Sequence, residues 1–218
     1  MNGKSTFPMP EKSQTKILVS SAVYGFEELL DQIYGILTSL GYEVWMSHKG
    51  TVPVYPENTA LESCRQAVRD CDLFLGIILP RYGSGAETKG GDTITHEELR
   101  EAIRLKKPRW ILAHDHVVFA RQFLRNLGYK TEKQRAELNR TLKTNEVLED
   151  LRVIDMLELA MRHDVTLVKN RKGNWVQKFI DAEEANLFAF AQFRRFREAG
   201  KIVEEQFGKP LNEEGRPK

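Results

Sequence analysis

A doubly wound, parallel α/β sheet is the fold class that this 218-residue sequence predicts, and three observations carry it. Strand-like and helix-like segments alternate from Lys16 to about residue 115, the pattern of successive βαβ units. LFLGIIL, ending at Leu79, is apolar without interruption, as in a central parallel strand covered on both faces. The breaks are written in glycine and proline: Gly41, Pro53, Pro56, Gly83 and Pro108 fall between the runs.

Taken in order, KILVS from Lys16 to Ser20 is a short first strand, and SSAVYG leads out of it. Phe26, Leu29, Leu30, Ile33, Leu37 and Leu40 then recur at helical spacing, with Gly41 as the C-terminal cap. Glu43 to Met46 is the second strand. Pro53 and Pro56 deny the next loop regular hydrogen bonding, and a helix runs from about Ala60 to Val68. LFLGIIL is the third strand, ended by PRYGSG. After the Gly-rich stretch Gly83 to Gly91, which reads as a lid, comes a helix from His96 to about Leu105. RWILA beyond Pro108 is the fourth strand. Parallel strands joined in this way require right-handed crossovers.

The rest of the chain changes character. His116 to Leu127 reads as helical, Lys130 to Lys143 is highly charged, and Asn145 to Arg162 is amphipathic. Asp164 to Lys169 has a strand pattern, and Trp175 to Arg197 reads as one aromatic-rich helix, a core element or a dimer seam. The organisation expected is a disordered segment over 1–15, an α/β domain over 16–128, a mostly helical extension over 129–207 that packs on the domain or on a partner, and a disordered tail over 208–218.

Composition narrows the function classes. Thirty-three Lys and Arg against 31 Asp and Glu leave a formal net charge of +2, so a broad phosphate-backbone footprint is not indicated. The first fifteen residues lack the apolar stretch of a secretory signal and no run reaches spanning length, so a cytoplasmic protein without membrane contact is expected. Cys64 and Cys71 have no second pair or flanking histidine to complete a zinc site and read as reduced thiols. His114, Asp115 and His116 lack a further partner in the sequence and read as capping or packing groups, so no metal is expected.

Glu98 is the leading candidate for chemistry. It opens a helix entered from a loop beyond a parallel strand, where ligand crevices form, and helix geometry sets it on the flank of the stripe centred on Leu99. Glu97 and Glu101 fall on the opposite side. Two readings of Glu98 stand side by side. Thr95-His96-Glu97-Glu98 matches a capping box, in which the glutamate returns a hydrogen bond to the cap residue's backbone. Alternatively, its carboxylate supports a developing ribosyl cation as a glycosidic bond breaks. Ser20 and Ser21 end the first strand as turn formers or as phosphate and ribose ligands. Arg81 and Tyr82 follow the third strand as a phosphate fork and a stacking face, or as an ordinary surface loop.

ILVSSAVYGFEELL, DCDLFLGIILPRYGS and TITHEELREAI together resemble a bacterial family of domains of unknown function with an Ile-Ser-Ser-Thr-type first strand. That family is regarded as related to Toll/interleukin-1 receptor (TIR) domains and to nucleoside deoxyribosyltransferases. Ala22 and Val23 stand where Thr and Tyr are usual. The similarity to TIR domains spans about Lys16 to Ala113. Ser47 and His48 replace the usual Asp after the second strand, Asp70 or Cys71 replaces the usual Ser, and the Trp-Cys pair that often precedes the glutamate is missing.

The resemblance implies a flavodoxin-like or TIR-like fold and places the catalytic glutamate of NAD-cleaving TIR enzymes on Glu98. It implies NAD as substrate without a further cofactor, a binding set of Ser20, Ser21, Tyr24, Arg81 and Tyr82, and work in bacterial antiphage or stress defence as a homo-oligomer or with a partner protein. A non-enzymatic assembly module and a nucleoside deoxyribosyltransferase-like enzyme are the alternatives. A carboxylate pair over a small pocket is the mark of the latter.

Overall fold

The computed structural model describes residues 14–86, 88, 91–141, 147–162 and 174–207, with backbone alone for 199–207. The expected strand over Asp164 to Lys169, the tail over 208–218, nearly all of the N-terminal segment, and Glu87, Lys89 and Gly90 of the Gly-rich stretch lie outside the described residues.

Four of the strands fall where the sequence predicts them: β1 (Lys16–Ser21), β2 (Glu43–Met46), β3 (Leu73–Ile78) and β4 (Arg109–His114). They join β5 (Asn174–Phe179) in one parallel sheet of order β2-β1-β3-β4-β5. All six residues of β3 are buried, as its unbroken apolar run requires. Gly76 at its centre makes room for neighbours: an added Cβ would lie 2.8 Å from Ile111 Cδ1 and 3.1 Å from Phe74 Cε1.

Helices cover both faces. On one, α1 (Glu27–Ser39) sets Leu30, Ile33 and Leu37 against Ile17, Val19 and Leu75. Gly41 has φ of +82°, the left-handed conformation that a glycine beyond a helix end supplies without strain. On the other face lie α2 (Ala60–Asp70), α3 (Ile94–Arg104) and α4 (Asp115–Asn126), followed by α5 (Glu132–Thr141) and α6 (Arg152–Met161). A true capping box starts α2, Thr59 and Glu62 exchanging hydrogen bonds with each other's backbone. Between α5 and α6, Arg135 and Asp155 form a buried ion pair with contacts of 2.8 and 2.5 Å.

The last third departs from its sequence reading. Trp175 does not begin a helix: Asn174–Phe179 is a strand paired with β4, and α7 (Ala182–Phe207) starts beyond it. Trp175 is exposed and Phe179 buried on this edge strand, while Ala185, Ala189 and Phe193 carry the core face of α7. Both segments are aromatic-rich, and an apolar stretch spanning a strand and the helix after it shows no single period to divide it. Phe193 packs on Trp110 at a centroid distance of 5.0 Å and on Tyr42, whose hydroxyl donates to the Phe193 carbonyl. Residues 174–207 therefore complete the sheet and the layer that α1 begins, while α6 adds to the opposite layer.

Candidate functional site

Strand order reverses between β1 and β3, because α1 leaves β1 on one face and α3 leaves β3 on the other. At such a switch point, the loops beyond the strands' carboxyl ends part and leave a crevice. A cavity of about 500 Å³ opens there. The β1 exit contributes Ser21, Val23 and Tyr24, and the β3 exit Arg81, Gly83 and Ser84. Thr95 and Glu98 come from α3, Cys64 from α2, Glu27 from α1, and Glu149 from the segment between α5 and α6. Gly83 turns with φ of +88° close to Ala22 and Thr95, which brings the β3 exit against the cavity wall.

Glu98 sits in that wall with 6% of its surface exposed. Its neighbours decide between the two readings of the sequence. The helix begins at Ile94 with Thr93 as cap residue, so Thr95 is already helical and the predicted capping box does not form. The side chain instead reaches the sheet: Ser20 Oγ donates to Glu98 Oε2 at 2.5 Å, and Cys64 borders the same cavity. Burial pushes the Glu98 carboxyl up to about 7, against the opposing pull of the Ser20 hydroxyl and the Cys64 thiol. Cys64 is pushed up to about 12, first by burial and then by the adjacent carboxylate, so it stays a thiol at neutral pH.

The other acidic residues of α3 serve a different purpose. Glu97 pairs with Arg65 and Arg100. Glu101 lies opposite the core stripe, as helix geometry predicts, yet it is buried, covered by Arg69 and Arg104. Arginines from α2 and α3 thus close over it, a contact between helices that lies outside any single-helix pattern.

The predicted binding residues divide. Ser21, Tyr24 and Arg81 line the cavity, Tyr24 being 78% exposed at its rim. Ser20 is adjacent but its hydroxyl is committed to Glu98, so it positions the carboxylate rather than a phosphate. Tyr82 is a correction: its side chain is buried away from the cavity and cannot stack on a ligand base. Its hydroxyl donates to Asp92 and meets His96 Nδ1, each at 2.8 Å, and the Arg152 guanidinium covers its ring at 4.2 Å. With the phenol proton given to Asp92, Nδ1 of His96 carries the proton of that contact. Burial holds His96 down at about 4, so its ring is neutral. A polar side chain in a loop gives no local sign of which way it turns.

Cys64, Glu27 and Glu149 were not marked as site residues by the sequence. Cys64 reads there as an ordinary helical thiol, and Glu149 lies in a stretch legible only as amphipathic. His114 behaves as a cap, accepting from the His116 backbone N–H, and packs edge-on against Phe26 and Phe179. His114, Asp115 and His116 bring ligand-type atoms within 4.8 Å of one another, on the far side of β3 from Glu98.

Among the described residues no helix is long and apolar enough to cross a membrane. Comparison with curated proteins gives no match. A family model described as a domain of unknown function, DUF4062, matches residues 16–166, a span that holds β1 through α6 and every residue of the cavity wall named above. The chain therefore belongs to the DUF4062 family.

Proposed function

We propose that this protein is a nucleotide N-glycosidase whose substrate is NAD, with Glu98 as the catalytic carboxylate at a TIR-like site. The observation that carries the reading is a desolvated glutamate, held by Ser20 and with Cys64 beside it in the wall of a cavity at the sheet's switch point. A group perturbed by burial in such a crevice is a candidate for chemistry on physical grounds. The resemblance of TITHEELREAI to the helix of NAD-cleaving enzymes points to the same residue.

In this reading the C1′–N bond breaks and its electron pair goes to the pyridinium nitrogen, so nicotinamide leaves neutral and needs no acid. Ionised Glu98 stabilises the ribosyl cation, and positioning lowers the remaining barrier. Water, or a nucleophile on the adenine ring, captures the cation and releases one proton. Arg81 is the guanidinium available to the diphosphate, and Ser21 and Tyr24 line the approach. Such an enzyme suits a defence role through NAD depletion.

A second reading, a nucleoside transferase or hydrolase, is favoured by one feature: Glu27 and Glu149 line the cavity alongside Glu98, so more than one carboxylate faces the substrate. Chromatography of NAD and its products, at low and high protein concentration, separates the readings. Nicotinamide release abolished by Glu98→Gln and kept by Glu97→Gln is the expected result. Absence of release at every concentration, with cleavage of free nucleosides, would transfer the assignment to the second reading.

A further inference from the structure

Glu149 is held in the cavity wall by two hydrogen bonds that straddle Arg81. Its backbone N–H donates to the Pro80 carbonyl at 2.9 Å, and its Oε2 accepts from the Tyr82 N–H at 2.9 Å. The carboxylate is thus fixed against the β3 exit although the residue itself is exposed. Its other oxygen, Oε1, has no hydrogen-bond partner among the described residues, and the residue borders the cavity that Glu98 borders. Glu27, the other rim carboxylate, differs: the backbone N–H groups of Glu27 itself and of Gly25 hold its carboxyl below the usual range.

We propose that Glu149 is a substrate-binding residue that accepts a hydrogen bond from a ribose hydroxyl, so that the site selects ribosyl over 2′-deoxyribosyl substrates. A carboxylate oxygen accepts, and the vicinal hydroxyls of a ribose are donors that a ribosyl substrate brings beside the amino groups of its bases. A carboxylate beyond a parallel strand binding a ribose hydroxyl is established chemistry in doubly wound sheets. A site that hydrogen-bonds a substrate hydroxyl discriminates against the analogue lacking it, because the acceptor is then left unpaired. The inference rests on the N-glycosidase reading for the identity of the substrate. It adds a residue from outside the stretch that resembles TIR domains.

The test uses the full chain. Calorimetric titration of Glu98→Gln protein with NAD and with its analogue deoxygenated at the 2′ position of the nicotinamide ribose measures the preference without turnover. The same two titrations follow on Glu98→Gln/Glu149→Gln, and wild type and Glu149→Gln are assayed for cleavage of both compounds. Glutamine keeps an acceptor for the Tyr82 N–H, and a melting curve checks that the variant folds. The expected result is a preference for the ribosyl compound of about tenfold or more, reduced severalfold by Glu149→Gln. A merely structural clamp would weaken both ligands equally and leave the ratio unchanged, and that outcome overturns the proposal while the glycosidase reading stands. Ribose-selective binding that depends on Glu149 without any cleavage overturns the glycosidase reading and keeps the proposal. Binding of neither compound overturns both.

Discussion

The charge on Glu98 is costly where it sits, and that cost is tunable. Ser20 donates to the ionised form and lowers the carboxyl's pKa, whereas burial raises it more. Activity that needs the carboxylate should rise with pH through about 7. Removing the donor with Ser20→Ala should move that rising limb to higher pH and reduce turnover at neutrality, by roughly tenfold if one charge-assisted hydrogen bond is lost. A pH–rate profile decides it; a limb that stays in place would show that Ser20 does not tune the group. Stability follows the opposite course. A carboxyl raised from 4.5 to about 7 on folding favours the folded state fully below pH 4.5, and this contribution is lost as pH rises through 7. Glu98→Gln should therefore gain stability relative to wild type between pH 5 and pH 8, by up to on the order of 3 kcal/mol. Denaturant melts at the two pH values measure that difference.

At the scale of elements, two contacts set the positions of the cavity walls. β3 runs through the middle of the sheet with Gly76 tight against Ile111 and Phe74, so Gly76→Ala forces β3 and β4 apart or drives side chains off their rotamers. A loss of about 1–3 kcal/mol is expected, read as a shift in the denaturant midpoint. The segment that carries Glu149 is held from below by α5 and α6, which share the buried Arg135–Asp155 pair. Burial still holds the Asp155 carboxyl above its usual range despite the guanidinium beside it. Asp155→Ala would leave that guanidinium buried without its partner, a loss of about 3–5 kcal/mol. A neutral effect in thermal or chemical melts would show that α5 can detach without consequence for the fold.

At the scale of the whole molecule, the C-terminal elements complete the architecture. β5 covers the β4 edge, and α7 lays Phe193 on Trp110 and Tyr42, so the face opposite the cavity is closed only when residues 174–207 are in place. Phe193→Ala should lower stability by about 3–5 kcal/mol through transfer and cavity terms, while ligand binding at the Glu98 site persists under conditions where the variant is folded. Melting curves with and without nucleotide test both halves of that statement. Loss of binding in a folded variant would mean that α7 reaches the site through the sheet.

The order of the first four strands and their helices was legible in the sequence, because hydrophobic period and glycine or proline punctuation are local properties of the chain. So was the candidacy of Glu98, from its place after a loop at the start of a helix. Whether that glutamate capped its own helix was a tertiary matter: Thr93, not Thr95, ends the loop, and Ser20 on a strand 78 residues away takes the carboxylate. Tyr82 turns into the protein and Glu149, which no local pattern marks, comes to the cavity from beyond α5 for the same reason. The strand at Asn174 was hidden because a β4 edge has to exist before an ambiguous aromatic segment can pair with it. Local pattern determined which elements form; packing between distant segments decided which polar atoms meet, since that depends on contacts no neighbouring residues encode.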